Sequence, residues 1–274
     1  MSTDQDRAAT RAATAYDAAS DHYLDDELSF WDHFGEATIA RLPLVHGARV
    51  LDLCCGAGAS ALPAARRVGP RGRVVGVDVS ERLLNLARAR AQREGLTQVQ
   101  WRCGDATALG EPDHAFDAVV CVFGVFFAAD RAQFVREMWR LVRPGGYLAI
   151  TTWGEHLFEP ANTLFWDAVA RRRPELRKSF NPWDDIVTVD ALRHLFSAAG
   201  TSEPEITLVE RQQPLRGDDP FWSIALGSGY RATLELLTPD ERAQVRADVA
   251  AAVRASAVTS VTTNALVASA RRAG

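Results

Sequence analysis

The sequence predicts an α/β fold, a doubly wound seven-stranded sheet with an N-terminal helical cap and C-terminal helical insertions. Three observations lead there. From residue 48 onward, short apolar or β-branched runs alternate with amphipathic stretches, the pattern of a parallel sheet covered on both faces by helices. The first run ends in a glycine-rich turn that opens a helix, and the second and third runs end at acids, Asp78 and Asp105.

Taken in order, residues 6–42 read as mainly helical and hold Tyr16, Tyr23, Phe30, Trp31 and Phe34, a dense aromatic supply for a cap. Strands follow at 49–53, 73–77, 98–102, 118–122 and 147–152. Helices at 59–68, 81–94 and 131–142 carry apolar residues at three- and four-residue spacing, as in Leu83, Leu84 and Ala87. These are β-α-β units, joined by right-handed crossovers. Arg143-Pro144-Gly145-Gly146 stops one helix and starts the fifth strand. Beyond residue 154 the alternation changes. A helix at 163–172, a loop at 180–186, a helix at 190–199 and a strand at 205–210 precede a helical region at 220–256, split at Thr238-Pro239-Asp240, a good helix N-cap signal. The last strand falls at 262–268. The chain therefore divides into a cap at 1–44 and a main domain at 45–274. Within that domain the ligand-binding half is 48–153, and the insertions lie at about 155–187 and 218–258.

The 274 residues are 47% hydrophobic, enough for a sizeable core, and the formal charge is −4. With no basic excess and dispersed arginines, a small molecule is a better partner than nucleic acid. The tracts at 171–173 and 271–272 read as solvated helix ends before they read as anion sites. Met1 to Arg7 has no apolar core and does not read as a signal peptide. The longest apolar stretch, 118–129, falls short of the roughly 18 residues that a membrane span needs. A cytoplasmic protein that does not enter the membrane is the expectation. Cys54, Cys55, Cys103 and Cys121 lie in or beside expected buried strands without C-x-x-C spacing, so they read as buried reduced thiols and no metal is expected.

In Asp52-Leu53-Cys54-Cys55-Gly56-Ala57-Gly58-Ala59, Gly56 and Gly58 remove Cβ atoms where the chain turns, so that a ligand can approach the backbone and the helix start. Alone, the G-x-G turn also suits a nicotinamide or flavin cofactor. Asp78 closes the second strand, where a carboxylate can accept from ribose hydroxyls, although Ser80 and Glu81 beside it can equally cap the next helix. Asp105, in Cys103-Gly104-Asp105-Ala106, ends the third strand where an acid can accept from an adenine amino group.

With these motifs the chain resembles the class I S-adenosylmethionine-dependent methyltransferases, in particular the branch that includes quinone-biosynthesis enzymes. The resemblance is good over 16–153 and looser beyond. Family members read D-L-G-C-G-T-G, so Cys54 stands in place of the first glycine and Ala57 in place of the threonine. The resemblance implies a sheet order of 3-2-1-4-5-7-6, with the antiparallel last strand at one sheet edge, and S-adenosylmethionine as cofactor. It places Gly56 and Gly58 at the methionine portion, with Cys54 packing against it, Asp78 and Val79 at the ribose and adenine edge, Asp105 with Ala106 at the adenine, and Cys121 near the methionyl group, and it counts Asp52, Gly104 and Phe123 among the cofactor-binding residues. Tyr16-Asp17-Ala18-Ala19-Ser20-Asp21-His22-Tyr23 comes close to the family's closing element, with Tyr16 and Tyr23 two helical turns apart on one face.

The acceptor is expected above the carboxyl ends of strands four and five, in a pocket lined by Trp31, Phe126, Phe127, Trp153 and Trp183, although about half of such rings would simply pack the cap on the sheet. That lining suits a small, largely apolar or aromatic molecule. A general base would be needed for a neutral acceptor. His156, which follows strand five, is the first candidate, with His33 and Glu155 as alternatives. The histidine pair that the family carries after strand four is replaced here by Phe126-Phe127. The expected activity is methyl transfer to an O, N or C atom, possible in secondary metabolism, by a protein that acts alone, as a homodimer or with a partner protein. Two alternatives stand beside it: the same fold and cofactor in a cyclase or a non-catalytic partner subunit, and a nicotinamide-dependent oxidoreductase. The last lacks the usual Tyr-x-x-x-Lys pair, since Lys178 is the only lysine.

Overall fold

The structure is a computed structural model that describes residues 4–219 and 221–274. Residues 1–3 of the expected cap, and residue 220 at the start of the expected helical region, lie outside the described residues. Helices α1 (Asp4–Ala19) and α2 (Phe30–Ala40) come first. They are followed by β1 (Arg49–Leu53), α3 (Ala61–Val68), β2 (Arg73–Asp78), α4 (Glu81–Arg93), β3 (Val99–Cys103), β4 (Phe116–Val122), α5 (Arg131–Leu141) and β5 (Val142–Trp153). The rest comprises α6 (Ala161–Ala170), α7 (Val189–Ala198), β6 (Glu205–Val209), β7 (Gln212–Pro214), α8 (Trp222–Leu226), α9 (Arg231–Leu234), α10 (Pro239–Ala255), β8 (Ser260–Thr262) and β9 (Ala265–Arg271).

Seven strands form one sheet in the order β3-β2-β1-β4-β5-β9-β6. Since β9 is the seventh strand expected from the sequence, the order 3-2-1-4-5-7-6 holds. The antiparallel strand, however, is not at the edge. β9 pairs antiparallel with both β5 and β6, and β6 takes the edge. The order runs one way from β1 through β2 to β3 and the other way from β4 to β5, so right-handed crossovers send α3 and α4 to one face and α5 to the other. The crevice at that reversal, between the ends of β1 and β4, is where such sheets hold ligands.

The core strands are buried because both faces are covered: Val50, Leu51 and Leu53 of β1 and 118–121 of β4 are almost fully shielded. β3 is an edge strand with a half-exposed pattern, which is why Cys103 is exposed, contrary to the expected burial of all four thiols. Cys55 and Cys121 are buried, Cys54 is half-buried, and all four are free.

β5 begins five residues before its expected start. Leu141 ends α5, and Val142 already pairs with Phe116; the ladder then skips to Tyr147 opposite Ala118, so that 143–146 form an irregularity instead of a free turn. The last strand starts three residues later than expected, and the small β7–β8 ribbon, whose strands flank the second insertion, was not anticipated. α10 starts at the expected signal, with Thr238 and Glu241 closing a reciprocal capping box.

The N-terminal segment sits directly on the ligand end of the sheet. α2 packs against α3, β4 and β5, and α1 reaches α4 and α9. The Thr38 and Thr151 hydroxyls meet at 2.6 Å in the core, tying α2 to β5. A Cβ on Gly35 of α2 would lie 2.1 Å from the carbonyl oxygen of Ala59, so α2 approaches the turn after β1 backbone to backbone. Gly35→Ala should force the two apart and lower stability by about 1–3 kcal/mol. An unchanged urea midpoint would contradict this close approach.

Candidate functional site

At the end of β1 the chain enters the left-handed region three times in five residues, at Cys54 (φ 57°), Gly56 (53°) and Gly58 (87°). Glycine takes such angles without penalty, whereas a side chain there costs about 1–2 kcal/mol. Cys54 stands where the resembling family has glycine, and this backbone gives the reason for that glycine. A Cβ on Gly56 would lie 2.9 Å from the Tyr23 hydroxyl, so the turn leaves room for only a bare backbone beneath the cap. The Cys55 N–H donates to Val77 O at 3.0 Å, and the Gly56 N–H donates to Asp78 Oδ2 at 2.8 Å. Ser80 N–H donates to Asp78 Oδ1 at 2.9 Å.

Asp78 is thus buried, held by two backbone donors, and still lines the cleft above the turn. Ser80 caps α4 by accepting from Leu83 N–H at 3.1 Å, and its hydroxyl donates to Asp17 Oδ1 at 2.5 Å. The capping and ligand-facing readings of this segment therefore fall on two neighbouring residues and do not compete.

The cleft, counted together with the open space at its mouth, spans about 890 Å³. Of the residues expected at the cofactor, the structure brings Tyr16, Tyr23, Cys54, Gly56, Asp78, Val79, Gly104, Asp105, Ala106 and Phe123 together on its walls. Three lie behind it. Asp52 is 1% exposed and accepts from Ser60 Oγ at 2.7 Å, Gly58 faces Leu62 and Trp101, and Cys121 is fully buried beside Cys54. Tyr16 and Tyr23 do not share a helix face, because α1 ends at Ala19; they meet edge to face across the following turn, with ring centroids 6.3 Å apart.

Gln5 was not anticipated. It donates to Asp105 Oδ2 at 3.1 Å and accepts from Ala129 N–H at 3.0 Å, bridging the cleft where the third strand ends. Asp105 also accepts from Thr107, through both its N–H and its hydroxyl at 2.8 Å.

A second cavity of about 1250 Å³ adjoins the first, and Ala12, Tyr16, Trp31 and Phe127 line both. All five residues expected at the acceptor, Trp31, Phe126, Phe127, Trp153 and Trp183, line this second cavity. Trp31 stacks on Tyr23 at 5.3 Å and 7°, and Trp153 stacks on Phe123 at 3.7 Å and 15°, so the rings both pack the cap and face the cavity. Trp166, Lys178 and Tyr230 complete the lining and were missed, since they come from α6 and from irregular segments with no periodic signal. Tyr230 donates its hydroxyl to Asn162 Oδ1 at 2.6 Å, and burial pushes its phenol up.

The candidate bases are not at the shared wall. His156 and Glu155 line a polar groove that borders the second cavity at Leu157, Asn181, Trp183 and Tyr230. His33 lines none of these cavities. It lies edge to face with Phe34 at 5.0 Å, and burial followed by the nearby Arg211 holds its imidazole below the usual range. The titratable group on the wall is Tyr16, whose phenol is raised by burial and then by Asp78. Among the described residues no cluster of His, Cys, Asp or Glu could hold a metal, and no helix is long and apolar enough to cross a membrane.

Burial pushes the Asp52 carboxyl up to about 7, against the hydrogen bond from Ser60. A carboxyl raised in the fold stabilises it fully below its unfolded value near 4, and that contribution is lost as pH rises through the folded value. The stability of wild type relative to Asp52→Asn should therefore fall between pH 5 and pH 8, by about 1 kcal/mol or more. Paired urea melts at each pH check it, and a difference that does not change with pH would contradict a protonated Asp52.

Residues 50–146 match the family described as "Methyltransferase domain". A 2-phytyl-1,4-naphtoquinone methyltransferase from Thermosynechococcus vestitus is 39% identical over 142 residues, which are 51% of this chain and 60% of that protein. The chain thus aligns with less than two thirds of that relative's length. The fold is similar to YcgJ of Bacillus subtilis (TM-score 0.56, 20% identity, 88% of this chain and 99% of that one). It is also similar to the [4+2]-cyclase SpnF (TM-score 0.55, 23% identity, 89% of this chain and 81% of that one). The domain match sets aside the nicotinamide alternative left open by the G-x-G turn. Over residues 50–146 the chain is thus similar to methyltransferase domains, and over about half its length to a quinone methyltransferase.

Proposed function

We propose that the protein transfers a methyl group from S-adenosylmethionine to an O, N or C atom of a small, largely apolar or aromatic molecule bound in the second cavity. One observation carries this reading: two cavities, one against the glycine turn and one lined by aromatic rings, meet at a wall of Tyr16, Trp31 and Phe127. The cradle fits the cofactor, because the turn at Gly56 excludes a side chain and Asp78 keeps a buried carboxylate facing the cleft. The backbone at Cys54 and Gly56 would receive the methionine portion, Asp78 the ribose, Val79 the adenine edge, and Asp105 with Ala106 the adenine. Tyr16 and Tyr23 would close over it. When bound, the cofactor supplies a methyl group already activated on a sulfonium.

The chain's own task is alignment, which alone can be worth roughly 7–11 kcal/mol. Tyr16, Trp31 and Phe127 exclude water from the junction, and their ring faces favour a cation beside them. In this reading residues 1–44 act as the cap, and the insertions at 155–187 and 218–258 supply the acceptor side. Since His156 and Glu155 stand beside the second cavity and away from the wall, the reading favours acceptors that ionise through their own acidity, such as phenols or enols. The acceptor comes from solution, and neither nucleic acid nor a membrane surface is part of the reaction.

The same absence of a base at the wall favours a second reading, in which the fold and cofactor serve a cyclisation. Mass analysis separates the two, because methylation adds one CH2 unit and cyclisation leaves the mass unchanged.

Calorimetric titration with S-adenosylmethionine, S-adenosylhomocysteine and NADH should give saturable binding of the first two alone. Asp78→Asn, which keeps one acceptor oxygen and replaces the other with a donor, should weaken S-adenosylhomocysteine about tenfold or more. Unchanged affinity would remove Asp78 from the ribose. Trp183→Ala should raise the acceptor KM by about tenfold, a loss of roughly 1.4 kcal/mol, and leave S-adenosylhomocysteine binding intact. An effect on the cofactor alone would move the acceptor elsewhere.

A further inference from the structure

The charged side chains that line the second cavity are Arg11 and Lys178, with no aspartate or glutamate among its lining residues. Charged groups close to Lys178 in sequence are neutralised: Arg177 pairs with Asp167 at 2.7 Å, Arg172 with Asp248 at 2.5 Å, and Arg173 with Glu175 at 2.6 Å. Lys178 has no carboxylate partner among the described residues. Its ammonium lies 5.7 Å from the ring centroid of Trp166, itself a lining residue. The Tyr230 hydroxyl, another donor in the lining, is already committed to Asn162. Lys178 lines the second cavity and not the cofactor cleft, so a group that it held would lie off the shared wall.

We propose that the second cavity selects aromatic acceptors that carry a carboxylate, and that Lys178 receives this carboxylate while the aromatic body lies among the rings. The inference deepens the acceptor assignment above and rests on that reading of the cavity. An unpaired cation beside an apolar lining loses hydration, and the loss already pulls the Lys178 ammonium below its ordinary range. A carboxylate of the ligand would supply the missing counter-charge. Neutral aromatics of the same shape would gain the ring contacts but leave the cation unpaired, which makes the charge a selecting element. Arg11 lies on α1 five residues before Tyr16, on the same cavity, and adds to the positive field there.

The test uses the full chain and two probes of equal shape, 3-hydroxy-2-naphthoate and its neutral 2-carboxamide. Binding is followed by quenching of tryptophan fluorescence, with and without S-adenosylhomocysteine. Wild type should bind the acid about tenfold more tightly than the amide, Lys178→Arg should keep most of that preference, and Lys178→Gln should reduce it to within about twofold. Equal affinities in wild type, binding of neither probe, or an undiminished preference in Lys178→Gln would each overturn the proposal. Calorimetry of S-adenosylhomocysteine on the same variants keeps the two readings apart. Loss of cofactor binding in every form strikes at the methyl-transfer reading, whereas intact cofactor binding with no acid preference strikes at Lys178 alone.

Discussion

The carboxylate of Asp78 joins the end of β2 to the turn after β1 and to the start of α4, by accepting the N–H groups of Gly56 and Ser80. Burying a carboxylate is costly: lost hydration pushes the Asp78 carboxyl above its ordinary range, and the hydrogen bonds from the backbone work against that rise. Here those bonds come from backbone donors whose positions are set by the sheet. Through Ser80 the same corner reaches Asp17, so α1 is fastened to the strand ends that it covers. The turn, the helix and the cap are thus fixed relative to one another before any ligand is present. Pre-organisation of this kind is what a cleft needs if binding energy is to go into alignment instead of ordering the protein.

The cleft also carries strain. Cys54 and Phe123 hold left-handed backbone angles without being glycine, and His156 and Phe158 do the same beside the second cavity. Such residues persist where their surroundings over-determine them. For Phe123 the cause is visible: its N–H donates to Thr151 O at 2.8 Å, and its ring is stacked on Trp153 and packed edge to face against Trp31 and Phe34. The aromatic cluster therefore does two things at once. It closes the core beneath the cap, and it keeps the end of β4 in a conformation that opens the cleft.

Much of the fold was legible because burial on both faces writes itself as apolar runs, and such runs located β1, β2, β4 and β5, while β3 is half-exposed at the edge. The parts that were misread share a physical origin. Pro144-Gly145-Gly146 signals a turn, yet the chain absorbs those residues as an irregularity inside a continuing ladder, which local sequence cannot reveal. β7 and β8 are three residues each, too short for any period to register. The acids and glycines of the cleft stood out because strand ends and turns restrict residue type strongly. Position around the cavity was harder. Asp52, Gly58 and Cys121 belong to the right motif but point behind it, and His156 follows β5 on a backbone whose φ of 63° no periodicity encodes. Lys178 was visible only as a rarity, and Tyr230 as nothing at all.

The wall between the cavities comes from two sources, with Ala12, Tyr16 and Trp31 on the N-terminal segment and Phe127 on the short turn after β4. A residue on that wall lines both cavities, so under the proposed function altering it trades one specificity against the other. Trp166, Trp183 and Tyr230, in contrast, line the second cavity and not the cleft. For redesign of the acceptor, the molecule is therefore divided into a coupled half and a separable half. These three rings lie on chain segments beyond residue 153, outside the matched domain core, so under the proposed function new acceptors can be sought there without disturbing the corner built on Asp78.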